Sequence, residues 1–438
     1  MEGYSFSIVV IGALLALILS GVHIITALGV VSLVGISVIM GGIQPALRLL
    51  ANTSYEALRD YVFAVVPLFV LMGEFIARSG AASDLYRLVN RSLGRLPGRL
   101  AIATVGGNAL FGAVTGVSIA SAATFSRIAY PEMMAHRYHR GVALGSIAGS
   151  AALGMLIPPS VLMIVWGVLT EESIGRLFIA GVVPGLILTF FYGTFLFIYA
   201  KLYPERFGGV ADKIDVPPPL RWSEVFGCLM VMTLIVLVFG GIWVGAFTPT
   251  EAAGIGALLS LVIAVLKGLG VNEIARAIWN TGRISAPILF LLLMAQLYSR
   301  LLAYGGIVDS IQHTLLGLGL TTGLVIAVMI LVWFVLGMFI DSVSIILLTV
   351  PIFAPIAKTL ELNSIAFAIV GIVAIEAGLV TPPFGISVYT VKSSINDPSV
   401  TLWEIFRATM PYWMLLIVLA ILVAVFPSLA TWLPSQMM

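Results

Sequence analysis

"LGMLIPPSVLM" (residues 153–163) lies inside a stretch, Val142 to Leu169, that is apolar enough to sit in a bilayer, yet two adjacent prolines interrupt it. A proline in a helix interior removes a hydrogen bond and clashes with the preceding turn, at a cost of ~3 kcal/mol or more. In lipid the freed carbonyls have no water to turn to. Pro158-Pro159 at the centre of a spanning segment therefore raises the question of what the break faces.

The surrounding composition fixes the class. Of 438 residues, 60% are hydrophobic and only 10% charged, with a mean hydropathy of +1.13. Soluble domains carry roughly 25% charged residues. The apolar runs are continuous and ~20 residues long, where barrel strands would alternate over ~10. The fold class is therefore an all-α polytopic membrane protein. A net charge of +2 gives no sign of nucleic acid as a partner. The 44 glycines and 21 prolines, many within apolar runs, suit irregular membrane helices. Cys228 is the single cysteine, so an intrachain disulfide and a cysteine metal site are excluded, and it is expected to face helix neighbours. The start, "MEGYSFSIVV", has an acid and no basic region and reads as a first membrane helix, not a cleaved signal.

Apolar helices are expected near 5–20, 24–42, 60–78, 141–169, 177–201, 222–246, 252–267, 284–303, 364–391 and 406–433. Residues 100–126 and 320–357 are apolar but broken by the polar clusters "GAVTGVSIASAAT" (112–124) and "GMFIDSVSIILLT" (337–349). Each reads as two half-helices meeting at a polar tip, a re-entrant hairpin. Arg78, Arg87, Arg91, Arg95 and Arg99 precede the first hairpin, with Asp84 the acid among them, and Arg127, Arg137 and Arg140 follow it. By the excess of basic residues on cytoplasmic loops, that hairpin enters and leaves on the cytoplasmic side. The linker 201–221, with Lys201, Arg206, Lys213, Arg221 and a stiff "VPPPL" (216–220), is cytoplasmic too. The acidic turn "TEES" (170–173) falls outside, and continuing the count makes the second hairpin enter from outside.

Opposed hairpins suggest an inverted repeat. "LIPPS" (156–160) has a counterpart in "VTPPF" (380–384), an offset of 224 from Pro158 to Pro382. Gly112 to Gly337 and Gly80 to Gly305 give 225, and Pro184 to Pro411 gives 227. Pro67 to Pro287 gives 220 and Ser32 to Ser260 gives 228. Landmarks recurring in order at a near-constant offset are the sequence signature of secondary transporters, in which a broken helix exposes carbonyls at the membrane midplane. Such carbonyls, with serine and threonine hydroxyls, suit a hard cation, and half-helix N-termini favour an anion. Pro158-Pro159 pairs with the first tip and its Thr115, Ser118 and Ser121. Pro382-Pro383, with Thr381, pairs with the second tip and its Asp341, Ser342 and Ser344. Asp341, a carboxylate deep in an apolar stretch, marks an ion or substrate pathway. Glu376 reads as either functional or an interhelical strut, Glu74 as structural, and Asn108 as a cavity or cap residue.

Of His23, His136, His139 and His313, only His23 lies in an apolar run, which argues against the axial pairs of a haem-bearing membrane anchor. A phosphate-binding loop and a paired-carboxylate catalytic site are both absent from the sequence. The chain does not read as an enzyme.

"GAVTGVSIASAATFSRIAYPEM" (112–133), "GSIAGSAALGMLIPPSVLMIVWGVLTEESIGRLFIAGVVPGLIL" (145–188), "GMFIDSVSIILLTVPIFAPIA" (337–357) and "GLVTPPFGISVYTV" (378–391) together resemble the large membrane subunit of TRAP (tripartite ATP-independent periplasmic) transporters. The first tip reads "GVSIAS" (116–121) where the family more often reads "GSSVAT". The resemblance implies an inverted-repeat elevator transporter of the ion-transporter superfamily, with two re-entrant hairpins and two broken helices. It implies sodium as coupling ion with no organic cofactor, a small four-helix membrane subunit and a periplasmic substrate-binding protein as partners, and an organic acid as cargo, in a bacterial or archaeal inner membrane. Sodium is then expected at Gly116, Ser118, Ile157, Pro158 and Ser160, and at Asp341, Ser342, Ser344, Gly378, Thr381 and Pro382. Substrate is expected between the tips, at Asn108, Thr115, Ser121, Pro159 and Pro383. The expected domains are scaffold at 1–78, 176–303 and 399–438, and transport halves at 79–175 and 304–398. The alternatives are a stand-alone sodium–dicarboxylate symporter and, more remotely, a membrane anchor of a redox complex.

Overall fold

The computed structural model describes residues 3–208, 219, 221–317 and 319–437, whose regular secondary structure is helical apart from one isolated bridge between Tyr138 and Phe207. Lys213 and all of the VPPPL segment except Pro219 lie outside the described residues. The first half contains α1 (Gly3–Leu19), α2 (Ile24–Ile39), α3 (Ile43–Arg59), α4 (Val65–Arg78) and α5 (Ala81–Ser92). Next come α6 (Arg99–Thr115) and α7 (Ser118–Ala135), then α8 (Arg140–Ser150), α9 (Leu153–Leu156), α10 (Val161–Thr170) and α11 (Ile174–Leu202). The second half contains α12 (Trp222–Trp243), α13 (Pro249–Leu266), α14 (Val271–Tyr304) and α15 (Ile307–Gly317). It continues with α16 (Thr322–Gly337), α17 (Ser342–Thr359), α18 (Ser364–Gly378), α19 (Ile386–Ser394) and α20 (Leu402–Val425). Eight of the helical segments among the described residues are long and apolar enough to cross a membrane.

The element order recurs. α4, α5, the hairpin α6–α7, the broken helix α8–α10 and α11 are followed later by α14, α15, the hairpin α16–α17, the broken helix α18–α19 and α20. Ser32 and Ser260 fall in α2 and α13, Pro67 and Pro287 in α4 and α14, and Pro184 and Pro411 in α11 and α20. One landmark moves by a residue. Gly80 opens α5 with φ +78°, and the glycine with matching backbone is Gly306 at φ +59°, whereas Gly305 has φ −81°.

Local signals set the helix ends. Ser160 caps α10, Ser173 caps α11, Asn363 caps α18 and Thr401 caps α20, each accepting a bond from a first-turn amide. Thr248 and Glu251 form a reciprocal capping box at α13, with Pro249 at its first position. The segment expected as a helix over 364–391 is two helices, because Pro382 and Pro383 end the first. His23, expected within an apolar run, is the exposed N-cap of α2, its Nδ1 accepting from the Ile25 amide at 3.4 Å. α3, α5 and α15 have no counterpart among the expected apolar runs, since charged residues such as Arg48, Asp84 and Asp309 interrupt their apolar faces.

The helices pack in two groups. α1–α4 and α12–α14 contact one another, with α13 and α14 flanking α4. The hairpins, the broken helices, α11 and α20 form the other group. α20 lies along α8 and α18, where Tyr412 fills the space over Gly149 and the Thr409 hydroxyl donates to Val380 O at 2.9 Å. α11 lies along α6, α9 and α18, with Gly181 and Gly185 against Leu156 and Ile157 of the first break. The broken helix Arg140–Thr170 is deeply buried, as is α18, whose residues 365–378 are all buried.

One end of the bundle carries a belt of ion pairs. α5 is held to the first group by Asp84–Lys267 and Arg87–Glu224, and α4 to α14 by Arg78–Glu273 at 2.8 Å. Gly227 admits the Asp84–Lys267 pair against α12: a Cβ there would stand 2.7 Å from Asp84 Oδ2 and 2.9 Å from Lys267 Nζ. Both side chains are largely buried, so removing one partner strands a charge. Lys267→Met is expected to destabilise the protein by ~3 kcal/mol, and Asp84→Asn with Lys267→Met by less. Thermal unfolding of the two variants measures the difference; equal losses would mean that the pair is not what holds α5.

Candidate functional site

The first tip is formed where α6 ends at Thr115 and α7 begins at Ser118. Gly116 makes the reversal with φ +64°, a conformation that L side chains rarely adopt. Its carbonyl accepts from the Val161 amide at 3.3 Å, and a Cβ on it would overlap the Pro159 carbonyl oxygen. Four residues back, a Cβ on Gly112 would stand 2.6 Å from Gly154 Cα. The tip and the break therefore touch backbone to backbone, which only glycine permits. Between α9 and α10, Ile157, Pro158, Pro159 and Ser160 run without helix, and the Pro158-Pro159 peptide is cis. Among the described residues no backbone amide donates to the carbonyls of Ile157, Pro158 or Pro159.

The second tip repeats this arrangement. Gly337 meets Gly378, its Cβ position lying 2.8 Å from Gly378 Cα, and the Phe384 amide donates to Met338 O at 3.2 Å. The Pro382-Pro383 peptide is cis. Thr381 is buried, its amide bonding Gly378 O at 2.9 Å and its hydroxyl Ala377 O at 2.7 Å. No backbone amide among the described residues reaches the carbonyls of Thr381, Pro382 or Pro383. Asp341 is half-buried and caps α17, accepting from the Ser344 amide at 3.0 Å and from the Ser344 hydroxyl. Ser342 and Ser344 are buried behind it.

The two units interlock. α7 of the first hairpin packs on α19 of the second break, and α17 of the second hairpin packs on α10 of the first. Arg140, at the start of α8, meets Asp397, just beyond α19, at 3.9 Å, and the Tyr130 hydroxyl donates to Asp397 at 3.1 Å. The Ser399 hydroxyl and amide hold this loop carboxylate below the usual range. At the other end Trp166 of α10 packs on Phe367 of α18, ring centroids 6.0 Å apart. The broken helices therefore run antiparallel.

Two buried polar atoms at this crossing, Ser121 Oγ and Asn108 Oδ1, have no hydrogen-bond partner, and the carboxylate of Glu376 meets no donor but the Ser118 hydroxyl. Asn108 donates to Ser150 Oγ at 2.7 Å, so its role is partly structural. Ser121 Oγ points at α9, 3.0 Å from the position of a Cβ on Gly154. Glu376 is 1% exposed and lies beside the Ser118 hydroxyl. The structure thus gathers Gly116, Ser118, Ser121, Ile157, Pro158, Pro159 and Ser160 into one cluster, and Asp341, Ser342, Ser344, Gly378, Thr381 and Pro382 into a second. Two expected positions sit apart. Thr115 packs against Gly73 of α4 and returns its hydroxyl to Phe111 O at 3.1 Å, and Pro383 is exposed. Glu74 is tied to Arg78 at 3.0 Å, a structural role, and Cys228 is a buried free thiol.

Sequence reasoning left Gly154 out, although Gly154 and Gly378 are related by the same offset as the double prolines. The group fits a small hard cation chemically: oxygen donors, no sulfur or imidazole, and unbonded carbonyls at both breaks. Among the described residues no cluster of three or more His, Cys, Asp or Glu side chains stands ready for a transition metal.

A family model described as "Tripartite ATP-independent periplasmic transporter, DctM component" matches residues 11–429. The C4-dicarboxylate TRAP transporter large permease protein DctM of Pseudomonas aeruginosa is 33% identical over 396 residues, 89% of this chain and 90% of that protein. The ectoine TRAP transporter large permease protein TeaC of Halomonas elongata is 28% identical, covering 97% of this chain and 98% of its own length. Among solved structures, the YdaH transporter of Alcanivorax borkumensis superposes with a TM-score of 0.64 at 15% identity, covering 88% of this chain and 89% of that one. That level of identity speaks to the fold alone.

Proposed function

The chain belongs to the DctM component family of tripartite ATP-independent periplasmic transporters, and from that premise we propose that it imports an organic acid by sodium-coupled, elevator-type movement. It is a multi-pass membrane subunit of a bacterial transport system and not an enzyme. The observation that carries the proposal is the pair of glycine-tight contacts between a hairpin tip and a broken helix. They put unbonded carbonyls beside serine hydroxyls twice, in antiparallel units.

The halves form an inverted repeat in this reading, supported by the recurring element order and the opposed broken helices. The moving body comprises the hairpins, the broken helices, α11 and α20. This differs from the division at residues 175 and 398 expected above. α11 and α20 fill the grooves of the broken helices through Gly181, Gly185 and Gly149, and sliding them away would open that packing. The fixed body is α1–α4 with α12–α14, enlarged by the small membrane subunit and bathed in lipid. A periplasmic binding protein delivers the anion from outside to the region between the tips near Asn108, Ser121 and Pro159, with Thr115 and Pro383, which sit apart, left out of the expected set. Half-helix N-termini at the tips favour its carboxylate there. Sodium occupies the two clusters. Each ion that moves down a membrane potential releases ~2.3 kcal/mol per 100 mV.

The relatives include permeases for C4-dicarboxylates and for ectoine, so a panel covering C4-dicarboxylates, sugar acids and ectoine is the appropriate probe. The large and small subunits are reconstituted in vesicles with the binding protein outside and a sodium gradient inward. Uptake of one panel member is expected only with both sodium and the binding protein. Equal uptake in choline would remove sodium coupling, and full uptake without the binding protein would favour the stand-alone symporter.

A further inference from the structure

We infer that Glu376 is the fixed counter-charge of the cation held at the first hairpin tip, supplied to that tip by the opposite half of the chain. The inference rests on the sodium reading above and extends it, since the donors assigned to that site are all neutral.

The burial of Glu376 makes its position costly. It sits in α18 two residues before Gly378, 1% exposed, and no basic side chain or backbone amide among the described residues reaches its carboxylate. A lone carboxylate taken out of water costs several kcal/mol unless it is paired. No arginine, lysine or histidine among the described residues forms an ion pair with it. Tyr192 lies near enough to feel its charge, but the Tyr192 hydroxyl donates to Tyr412 O at 3.3 Å. The polar group beside it is the hydroxyl of Ser118, the first residue of α7 at the first tip.

The tip has the complementary deficit. Ser118, Ser121 and the carbonyls of Ile157, Pro158 and Pro159 offer oxygens without charge, so a monovalent cation there would be buried without compensation. Placing the cation between these oxygens and Glu376 removes both penalties at once. The two tips also differ in a way that supports this assignment. At the second tip Asp341 is already bonded by Ser344, whereas at the first tip no carboxylate comes from the hairpin itself. An acid from α18 takes that place. The first ion is then shared by the hairpin of one half and the broken helix of the other.

The test uses the full-length chain with its small membrane subunit in lipid nanodiscs. The probe is sodium chloride titrated against choline chloride at constant ionic strength, and the readout is the thermal unfolding midpoint. The wild-type complex is expected to show a saturable rise with sodium. In Glu376→Gln the half-saturating sodium concentration is expected to rise at least about tenfold, or the rise to lose half its size. If the glutamine variant does not fold, the size-matched pair Glu376→Asp and Glu376→Asn decides: the aspartate form keeps the wild-type size and midpoint of the sodium response, and the asparagine form shows the shift of about tenfold or the loss of half its size. A wild-type complex indifferent to sodium would overturn the sodium reading itself. A wild-type response that Glu376→Gln or Glu376→Asn reproduces unchanged would overturn the role of Glu376 and leave that reading standing.

Discussion

Asp341→Asn is expected to leave the protein folded and to lower sodium-dependent uptake by more than about tenfold. Asp341 has two separable properties. It caps α17 through the Ser344 amide at 3.0 Å, and it carries the one charge of the second tip. Asparagine is as good an N-cap as aspartate, so the substitution costs the helix little, whereas alanine would cost ~1 kcal/mol in lost capping. The charge is what asparagine removes, and an ion sited at the tip loses its strongest donor. Uptake into vesicles measured against sodium concentration, with the unfolding midpoint of the same preparation, separates the two properties. Asp341→Ala is expected to abolish uptake and to lower the midpoint as well. Normal sodium-dependent uptake by Asp341→Asn would reduce Asp341 to a helix cap.

Gly116→Ala is expected to abolish uptake and to destabilise the protein by ~3 kcal/mol or more. The left-handed backbone at φ +64° alone costs an L-residue ~1–2 kcal/mol. The larger part is the overlap of the new methyl group with the Pro159 carbonyl, which belongs to the backbone of the break and cannot swing aside as a side chain would. Gly80→Ala is the control. It imposes the same kind of strain at φ +78°, but nothing lies within 4 Å of its Cβ position. It is expected to fold and transport with a loss of ~1–2 kcal/mol. If Gly116→Ala behaved like Gly80→Ala in thermal unfolding and in uptake, the tight tip–break contact would not be what the site depends on.

Much of the fold was legible because its signals are local. A double proline in an apolar run breaks a helix whatever surrounds it, and polar tips between half-length apolar runs reverse within the bilayer because nothing else satisfies their backbone. The offset of landmarks located both hairpins and both breaks, and it erred by one residue at Gly305, where glycines stand side by side. The amphipathic helices α3, α5 and α15 escaped because their apolar faces are interrupted by charge. The packing of α11 and α20 against the broken helices also escaped, since an apolar helix carries no mark of the neighbour it fills. Their glycine contacts with the broken helices are seen only when assembled.

At the site the division is sharper. The sequence by itself determined that Pro158-Pro159 and Pro382-Pro383 are breaks, that Ser118 and Asp341 lie at tips, and that the two sets are related by a repeat. These properties follow from backbone chemistry within a few residues. Only the tertiary structure decided how the carboxylates are used. It satisfied Asp341 within its own helix turn and set Glu376 against the Ser118 hydroxyl, from the other half of the chain, with no basic side chain beside it. The physical reason is that the cost of a buried charge depends on what surrounds it in space, and helices from both halves cross at that point.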